Sequence, residues 1–370
     1  MIATSSLVAV LTVSVGLVLA LNQDGRRRGT SRSIAPGCVP FGMLGDSDTA
    51  AYHDTVTFPA TGPQPGGEFH AITFQWPEVL VRIRDRQVDL GEWAVWGVPR
   101  WLSMARVRDG LGLRWRGPQR QTHRHNLAWP SFCESLTEGA WRQAQRLVDV
   151  MDEQPGRWSE GVVVIRSGVN SFGKAKKMDV LAKNAEDPGA VALIASCVSK
   201  VREAVRLIHQ SHPATRVVLV GILNNSDWPP YFDRWQSVAE QRNLNRGLDH
   251  FDAALRAMAD GDPRLAFFDD RAWFAKRWGR RSADTGMPDY RAVRIGQHLS
   301  VTNTVGDSPE HAVLDNLHAG LVWNALWVQD LVELVRTQFG LPVDAISDAE
   351  VSLFVEARVE ELARLKTRGR

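Results

Sequence analysis

Residues 38–48, with the sequence CVPFGMLGDSD, decide the fold. A short apolar run that ends in Gly and small polar residues is typical of a buried strand followed by a tight turn. Similar runs lie at 162–165, 216–222 and 265–268, and longer segments of helical period separate them. This alternation of strand and helix predicts an α/β fold built on a parallel sheet.

The segments between and after these strands carry apolar residues at helical spacing. They predict helices at about 76–86, 134–152, 191–210, 249–259 and 319–339. Residues 93–121 are dense in Trp, Arg and Gly without a clean period, which predicts an irregular insertion within a domain of residues 37–340. The remainder, 341–370, has the spacing of an amphipathic helix. We expect this helix to pack on the domain surface rather than bind a partner or a membrane.

Composition limits the function classes. The chain is 44% hydrophobic and 23% charged, and its 44 Lys and Arg against 42 Asp and Glu give a formal net charge of +2. This ordinary globular composition excludes disorder for most of the chain and lacks the basic excess of a nucleic-acid-binding protein. The three cysteines are too few and too scattered for a disulfide framework or a zinc site. Cys133 is therefore expected to be a small buried side chain.

The first 21 residues end in an apolar stretch from Leu7 to Leu21, which has the length of a signal-peptide core and is short for a spanning helix. An uncleaved N-terminal anchor and a misassigned start are the alternatives, because three arginines at 26–28 lie on the side that opposes export. Residues 22–36 are interpreted as a linker. We expect an exported protein, either secreted, periplasmic or membrane-anchored, whose only membrane attachment is through residues 1–21.

Polar side chains with catalytic potential follow the predicted strands. Ser47 comes directly after the first strand, and Asn170 follows the strand at 162–165. Ligands of open α/β sheets bind at the carboxyl ends of the strands, where an Asn amide can donate to a developing oxyanion. Asp315 precedes His318 by three residues, so its carboxylate can orient the imidazole and leave Nε2 free as a base. Taken alone, each of these residues could be a helix cap, a turn residue or half of a surface pair. They indicate a site because all of them fall on the same predicted rim of the sheet.

Together these residues resemble the SGNH/GDSL hydrolase superfamily of GDSL-like serine esterases and lipases. The resemblance runs from about 37 to 340 and is carried by four blocks: Gly45-Asp46-Ser47, Asn126-x-Ala128, Gly168-x-Asn170 and Asp315-x-x-His318. It implies a three-layer α/β/α fold with a flavodoxin-like parallel sheet. It also implies Ser47 as nucleophile, His318 as base, Asp315 as its orienting group, and an oxyanion hole of Asn170 with the backbone N–H groups of Ser47 and Ser131. The family usually has Gly where Ser131 stands, but a backbone N–H survives that replacement.

The resemblance implies a serine ester hydrolase that forms a covalent acyl-enzyme and needs neither a metal nor an organic cofactor. Its substrate would be a small-molecule, carbohydrate or lipid ester. An acyltransferase on the same scaffold is one alternative, and a non-catalytic ligand-binding module, suggested by Ser131, is the other. His53 and Asp54, shortly after Ser47, are expected to be surface or supporting polar groups rather than a rival dyad.

Tryptophan is in excess, with 14 Trp against 3 Tyr. Trp273, Trp278, Trp323 and Trp327 lie on helical segments and are expected to be core. Trp129, Trp228 and Trp235 fall near the predicted rim. They are candidates for the wall of a substrate site, and loop packing is an equally good interpretation.

Overall fold

The computed structural model describes residues 37–57, 67–98, 117–314 and 318–368. The predicted signal or anchor at 1–21, the linker at 22–36, the middle of the 93–121 insertion and Asp315 lie outside the described residues.

Ten strands are present in the described ranges. They are β1 (Val39–Gly45), β2 (Val88–Asp89), β3 (Trp93–Trp96), β4 (Arg120–His123), β5 (Val162–Arg166), β6 (Arg216–Val220), β7 (Leu265–Phe268), β8 (Val293–Ile295), β9 (Leu299–Val305) and β10 (His311–Val313). Five of them form a parallel central sheet in the order β2-β1-β5-β6-β7. Counted within that sheet the order is 2-1-3-4-5, which is the order of flavodoxin-like sheets. The predicted α/β class with a parallel sheet is confirmed.

Eight α-helices lie in the same ranges. They are α1 (Trp76–Ile83), α2 (Gln143–Met151), α3 (Ala175–Lys183), α4 (Pro188–Ser211), α5 (Val238–Asp260), α6 (Asp270–Trp278), α7 (Leu321–Phe339) and α8 (Asp348–Arg368). None of the described helices combines the length and the apolar character that a membrane crossing requires.

Helices cover both faces of the central sheet. Successive residues of a strand point to opposite faces, and the two apolar clusters follow that alternation. Phe41 and Val164 pack in one cluster with α1, α6 and α7, whereas Leu44 and Val163 pack in the other with α2, α3, α4 and α5. The sheet is thus buried on both sides, which explains why its strands are continuous apolar runs.

The predicted C-terminal helix is present as α8. Its residues Val351, Val355 and Leu362 are buried in the cluster that contains α1 and α7. Glu350 also forms an ion pair with the buried Arg84, with 2.7 Å between Glu350 Oε1 and Arg84 Nη1. This helix packs against the rest of the described chain through its apolar side.

Several element predictions need correction. The predicted helix at 134–152 begins only at Gln143, because Gly139 adopts a left-handed φ of +66° that interrupts a helix. The predicted helix at 249–259 begins earlier, at Val238, where Ser237 and Glu240 form a capping box. The insertion is more regular than expected at its ends, since β3 and β4 pair antiparallel there.

Candidate active site

The turn that carries Ser47 is made possible by Gly45, the last residue of β1. Gly45 has a φ of +154°, and a Cβ there would lie 2.0 Å from the carbonyl oxygen of Arg166 on β5. The next residue, Asp46, donates its N–H to that same oxygen at 3.2 Å. The chain therefore leaves the sheet sharply, and Ser47 lies half-buried at the carboxyl end of β1, beside the end of β5.

Side chains from three separate segments hold the Ser47 turn. The carbonyl groups of residues 47–49 each accept one hydrogen bond, in order from Gln75 Nε2 at 3.1 Å, Arg166 Nη1 at 3.2 Å and Asn126 Nδ2 at 2.9 Å. Three consecutive carbonyls bound by side chains leave the turn little freedom to move. The backbone that presents the Ser47 hydroxyl is therefore fixed in advance of any ligand.

A buried ion pair lies beneath this turn. Arg166 Nη2 is 3.0 Å from Asp270 Oδ2 at the start of α6, and both side chains are buried. The Asp270 carboxylate also accepts from the Trp327 indole N–H at 2.8 Å. Because Arg166 is held by this carboxylate, its guanidinium is aimed at the carbonyl of Asp48.

Asp46, next to Ser47, has a carboxyl group with a pKa well above its ordinary value. Burial, together with the charge of Asp48, raises the pKa of Asp46 to about 7, although Arg166 and two backbone N–H groups oppose the shift. Its carboxyl oxygen accepts from the N–H of Asp48 at 3.1 Å. The turn therefore contains a carboxyl group that titrates near neutral pH.

The predicted oxyanion residues Asn170 and Ser131 meet in space. The segment that leads to Ser131 runs beside β1, where the Trp129 N–H donates to the Gly45 carbonyl at 3.0 Å. Asn170, in the loop after β5, donates from Nδ2 to the Ser131 carbonyl at 3.1 Å. An amide nitrogen carries two N–H donors, so one remains for another acceptor.

A disulfide lies close to Ser131. Cys133 is buried as expected, but the expectation that the three cysteines are too few and too scattered to form a disulfide is wrong. Cys133 is bonded to Cys197 of α4, with 5.3 Å between the two Cα atoms. The Cys133 N–H donates to Ser171 Oγ at 3.0 Å, which links the same segment to the loop that carries Asn170. The pairing spans 64 residues, so no local spacing indicates it. Cys38 is the free cysteine and is buried.

His318 lies just before α7, against the chain that follows Ser47. The ring of Tyr52 meets the His318 ring edge-on with centroids 5.9 Å apart, and the Tyr52 hydroxyl donates to the Ala319 carbonyl at 2.7 Å. Its predicted partner Asp315 lies outside the described residues. The structure thus places His318 in contact with Tyr52, which lies five residues after Ser47.

Sequence reasoning missed a buried carboxylate at this place. Glu78 of α1 is 1% exposed, and its Oε1 lies 2.9 Å from Nδ1 of His53. His53 is therefore paired with a buried carboxylate, which is more than the supporting polar group expected from its position. The spacing of Gln75 and Glu78 is that of a capping box and could have indicated the helix start, but it says nothing about Tyr52 or His53.

The three tryptophans proposed as substrate walls have different environments. Trp228 and Trp235 are only 7% and 6% exposed, and they pack against Trp323 and Tyr231 respectively. Both rings are thus buried against other aromatic side chains. Trp129 is half-buried and stacks on Trp141 with centroids 3.8 Å apart, close in sequence to Phe132, whose side chain is 54% exposed.

The described residues contain no group of three or more His, Cys, Asp or Glu side chains arranged to hold a metal ion. His123 and His125 each place Nδ1 against a backbone carbonyl, at 3.0 Å from Gly91 and 3.2 Å from Asp89. Their rings are engaged in structural hydrogen bonds.

No protein-family model matches the chain, and comparison with curated proteins finds no matching relative.

Proposed function

We propose that the protein is a serine ester hydrolase with the fold and residue roles of the SGNH/GDSL superfamily. The observation that carries the proposal is the clamped turn at the carboxyl end of β1, where residues 47–49 have every carbonyl bound by a side chain. Ligands of open α/β sheets bind at the carboxyl ends of the strands, and a nucleophilic serine there must be held in position next to its base.

In the proposed reaction, Ser47 Oγ attacks the ester carbonyl carbon while His318 removes the hydroxyl proton. The tetrahedral intermediate collapses as His318 returns that proton to the departing alcohol, and an acyl-Ser47 ester remains. A water molecule, deprotonated by His318, then attacks the acyl carbon. The bond to Ser47 Oγ breaks, His318 returns the proton to Oγ, and the acid leaves. Asp315 would orient the imidazole.

The oxyanion would be stabilised by the loops that carry Asn170 and Ser131. Asn170 and Ser131 are joined by a hydrogen bond of 3.1 Å, so the donor groups on the two loops have a fixed relative position. The second N–H of the Asn170 amide and the backbone N–H groups of Ser47 and Ser131 are the proposed donors. Donors that are fixed before the reaction stabilise developing charge without reorganising.

We propose a carbohydrate, lipid or small-molecule ester as the substrate and an exported location for the enzyme. The exposed ring of Phe132 and the stacked pair of Trp129 and Trp141 favour a substrate with an apolar or ring-shaped portion. The disulfide between Cys133 and Cys197 supports export, because disulfides persist in oxidising compartments.

A fluorophosphonate probe tests the nucleophile. We expect labelling of the wild type at Ser47, its loss in Ser47→Ala and strong slowing in His318→Gln. Ser159→Ala is the matched control, since the Ser159 hydroxyl donates a hydrogen bond to the Gly156 carbonyl at 2.8 Å. Labelling that survives Ser47→Ala would contradict the assignment.

A panel of p-nitrophenyl esters and acetylated sugars, assayed with and without a competing alcohol, then separates the alternatives. Hydrolysis supports the proposal, and transfer that outpaces hydrolysis would make the protein an acyltransferase. Absence of any turnover, with a carbohydrate or lipid that still raises the melting temperature, would leave a binding module.

A further inference from the structure

Glu78 is a buried carboxylate with more partners than a helix cap needs. Its Oε2 accepts from the Gln75 N–H at 3.0 Å and from the Tyr52 N–H at 3.1 Å, and its Oε1 accepts from Nδ1–H of His53 at 2.9 Å. Capping of α1 requires only the first of these bonds. The other two tie the helix to the chain segment that follows Ser47.

Glu78 binds the backbone N–H groups of Tyr52 and Gln75, and these two residues contact different parts of the candidate site. Tyr52 places its ring 5.9 Å from the His318 ring and its hydroxyl on the Ala319 carbonyl. Gln75 donates its side-chain amide to the Ser47 carbonyl at 3.1 Å. One carboxylate thus lies between the nucleophile turn and the segment that carries the base.

The charge of Glu78 is maintained in spite of its burial. Burial acts to raise its pKa, yet the pKa lies below its usual value because His53 supplies a hydrogen bond and positive charge and because the Gln75 N–H and Arg82 add to them. A buried carboxylate is costly unless it is fully hydrogen-bonded. Here both oxygens are bonded, which makes Glu78 a rigid anchor.

We propose that Glu78 is a positioning residue for the esterase reaction, holding Tyr52 against His318 and Gln75 beneath Ser47 so that nucleophile and base stay aligned. This inference rests on the proposed function. His53 is part of the same anchor, since its Nδ1–H occupies the second carboxylate oxygen and leaves its own Nε2 without a hydrogen-bond partner among the described residues.

The test compares Glu78→Ala with Glu78→Gln. In Glu78→Gln the amide oxygen can still accept from the Tyr52 and Gln75 N–H groups, while its NH₂ donates to His53 in the opposite tautomer. Misplacement of catalytic groups by about 1 Å costs on the order of 100-fold in rate, so we expect kcat to fall about 100-fold in Glu78→Ala with KM little changed. Glu78→Gln is expected to recover most of this loss.

Glu240→Ala is the matched control. Glu240 occupies the same N3 position of a capping box in α5, and its bonds within the described chain go to Ser237. This variant should lose stability through its helix cap and keep kcat. Equal losses of kcat in the two alanine variants would show that capping alone explains the effect and would overturn the proposal.

Two further measurements extend the test, and the second of them decides the proposal even if Glu78→Ala folds poorly. Tyr52→Leu should lower kcat, and adding Glu78→Ala to that variant should lower kcat much less than Glu78→Ala lowers it in the wild type. Hydrogen exchange should show protection of the Tyr52 and Gln75 amides in the wild type and in Glu78→Gln. Independent effects in the double variant, or unprotected amides in the wild type, would refute the anchoring role.

Failure of this inference is distinguishable from failure of the proposed function. If the wild type labels at Ser47 and turns over an ester while Glu78→Ala keeps full kcat, only the positioning role is wrong. If the wild type neither labels nor turns over, the proposed function is wrong and the positioning role falls with it.

Discussion

Removal of the Cys133–Cys197 disulfide is predicted to cost about 4 kcal/mol of stability. The bond closes a loop that spans 64 residues. In the chain-entropy description, such a loop withdraws about 14 cal/mol/K from the unfolded chain, which corresponds to about 4 kcal/mol at 25 °C. Cys197→Ser tests this value without touching the site, because Cys197 lies on α4 whereas Cys133 lies two residues from Ser131.

Urea unfolding of oxidised wild type, Cys197→Ser and Cys38→Ser measures the effect. Cys38→Ser is the matched control, since Cys38 is buried and free, with its thiol against the Arg86 carbonyl. We expect reductant to bring the wild type to the stability of Cys197→Ser and to leave that variant unchanged. The intact mass of unreduced wild type should be two hydrogens below that of the reduced chain. A loss below about 1 kcal/mol in Cys197→Ser would refute the loop-closure reasoning.

Three further predictions concern buried groups. Asp270→Asn leaves the buried Arg166 without its carboxylate and should lower the free energy of unfolding in urea by about 3–5 kcal/mol. The neighbouring Asp269→Asn keeps its cap on the Ala272 N–H and should lower it little, so similar decreases in the two variants would contradict the role of the buried pair. Burial raises the pKa of Asp227 to about 6 from an ordinary 3.8, so the stability it contributes is present below pH 4 and is lost as pH rises through 6. Wild type should therefore lose about 3 kcal/mol relative to Asp227→Asn between pH 4 and 8, as chemical unfolding would show, and parallel pH curves would contradict it. Gly45→Ala should cost at least about 3 kcal/mol and abolish Ser47 labelling, because its Cβ meets the Arg166 carbonyl, while Gly156→Ala, which meets nothing within 4 Å, should not.

The sequence predicted the central sheet well because its main strands are buried on both faces. β1, β5 and β7 appear in the sequence as apolar runs that end at Gly or a polar residue, and they lie where predicted. β2 escaped prediction because it is two residues long, which is too short to show a period. β9 was missed because Asn303 interrupts its alternation; this polar residue is buried and donates to the Asp227 carbonyl at 2.9 Å.

The site was predictable only as far as strand ends and short motifs define it. The placement of Ser47 after β1 and of Asn170 after β5 follows from local patterns. The Cys133–Cys197 bond and the contact of His53 with Glu78 join residues 64 and 25 positions apart, and no periodicity in the chain reports such contacts. The burial of Trp228 was likewise not visible, since a loop tryptophan can pack inward or line a surface with the same sequence around it.

The Ser47 turn and the His318 segment are held by different contacts, so different substitutions should disturb them. The turn is held by side chains from four separate segments, and one of them, Gln143 of α2, bonds both the N–H and the carbonyl of Gly45 at 2.7 and 2.8 Å. The His318 segment comes from the far end of the chain and meets the turn through Tyr52. Because several side chains hold the turn, the loss of one surface contact should leave its geometry unchanged. The alignment of base and nucleophile should instead be most sensitive to changes at Tyr52 and its anchor, Glu78.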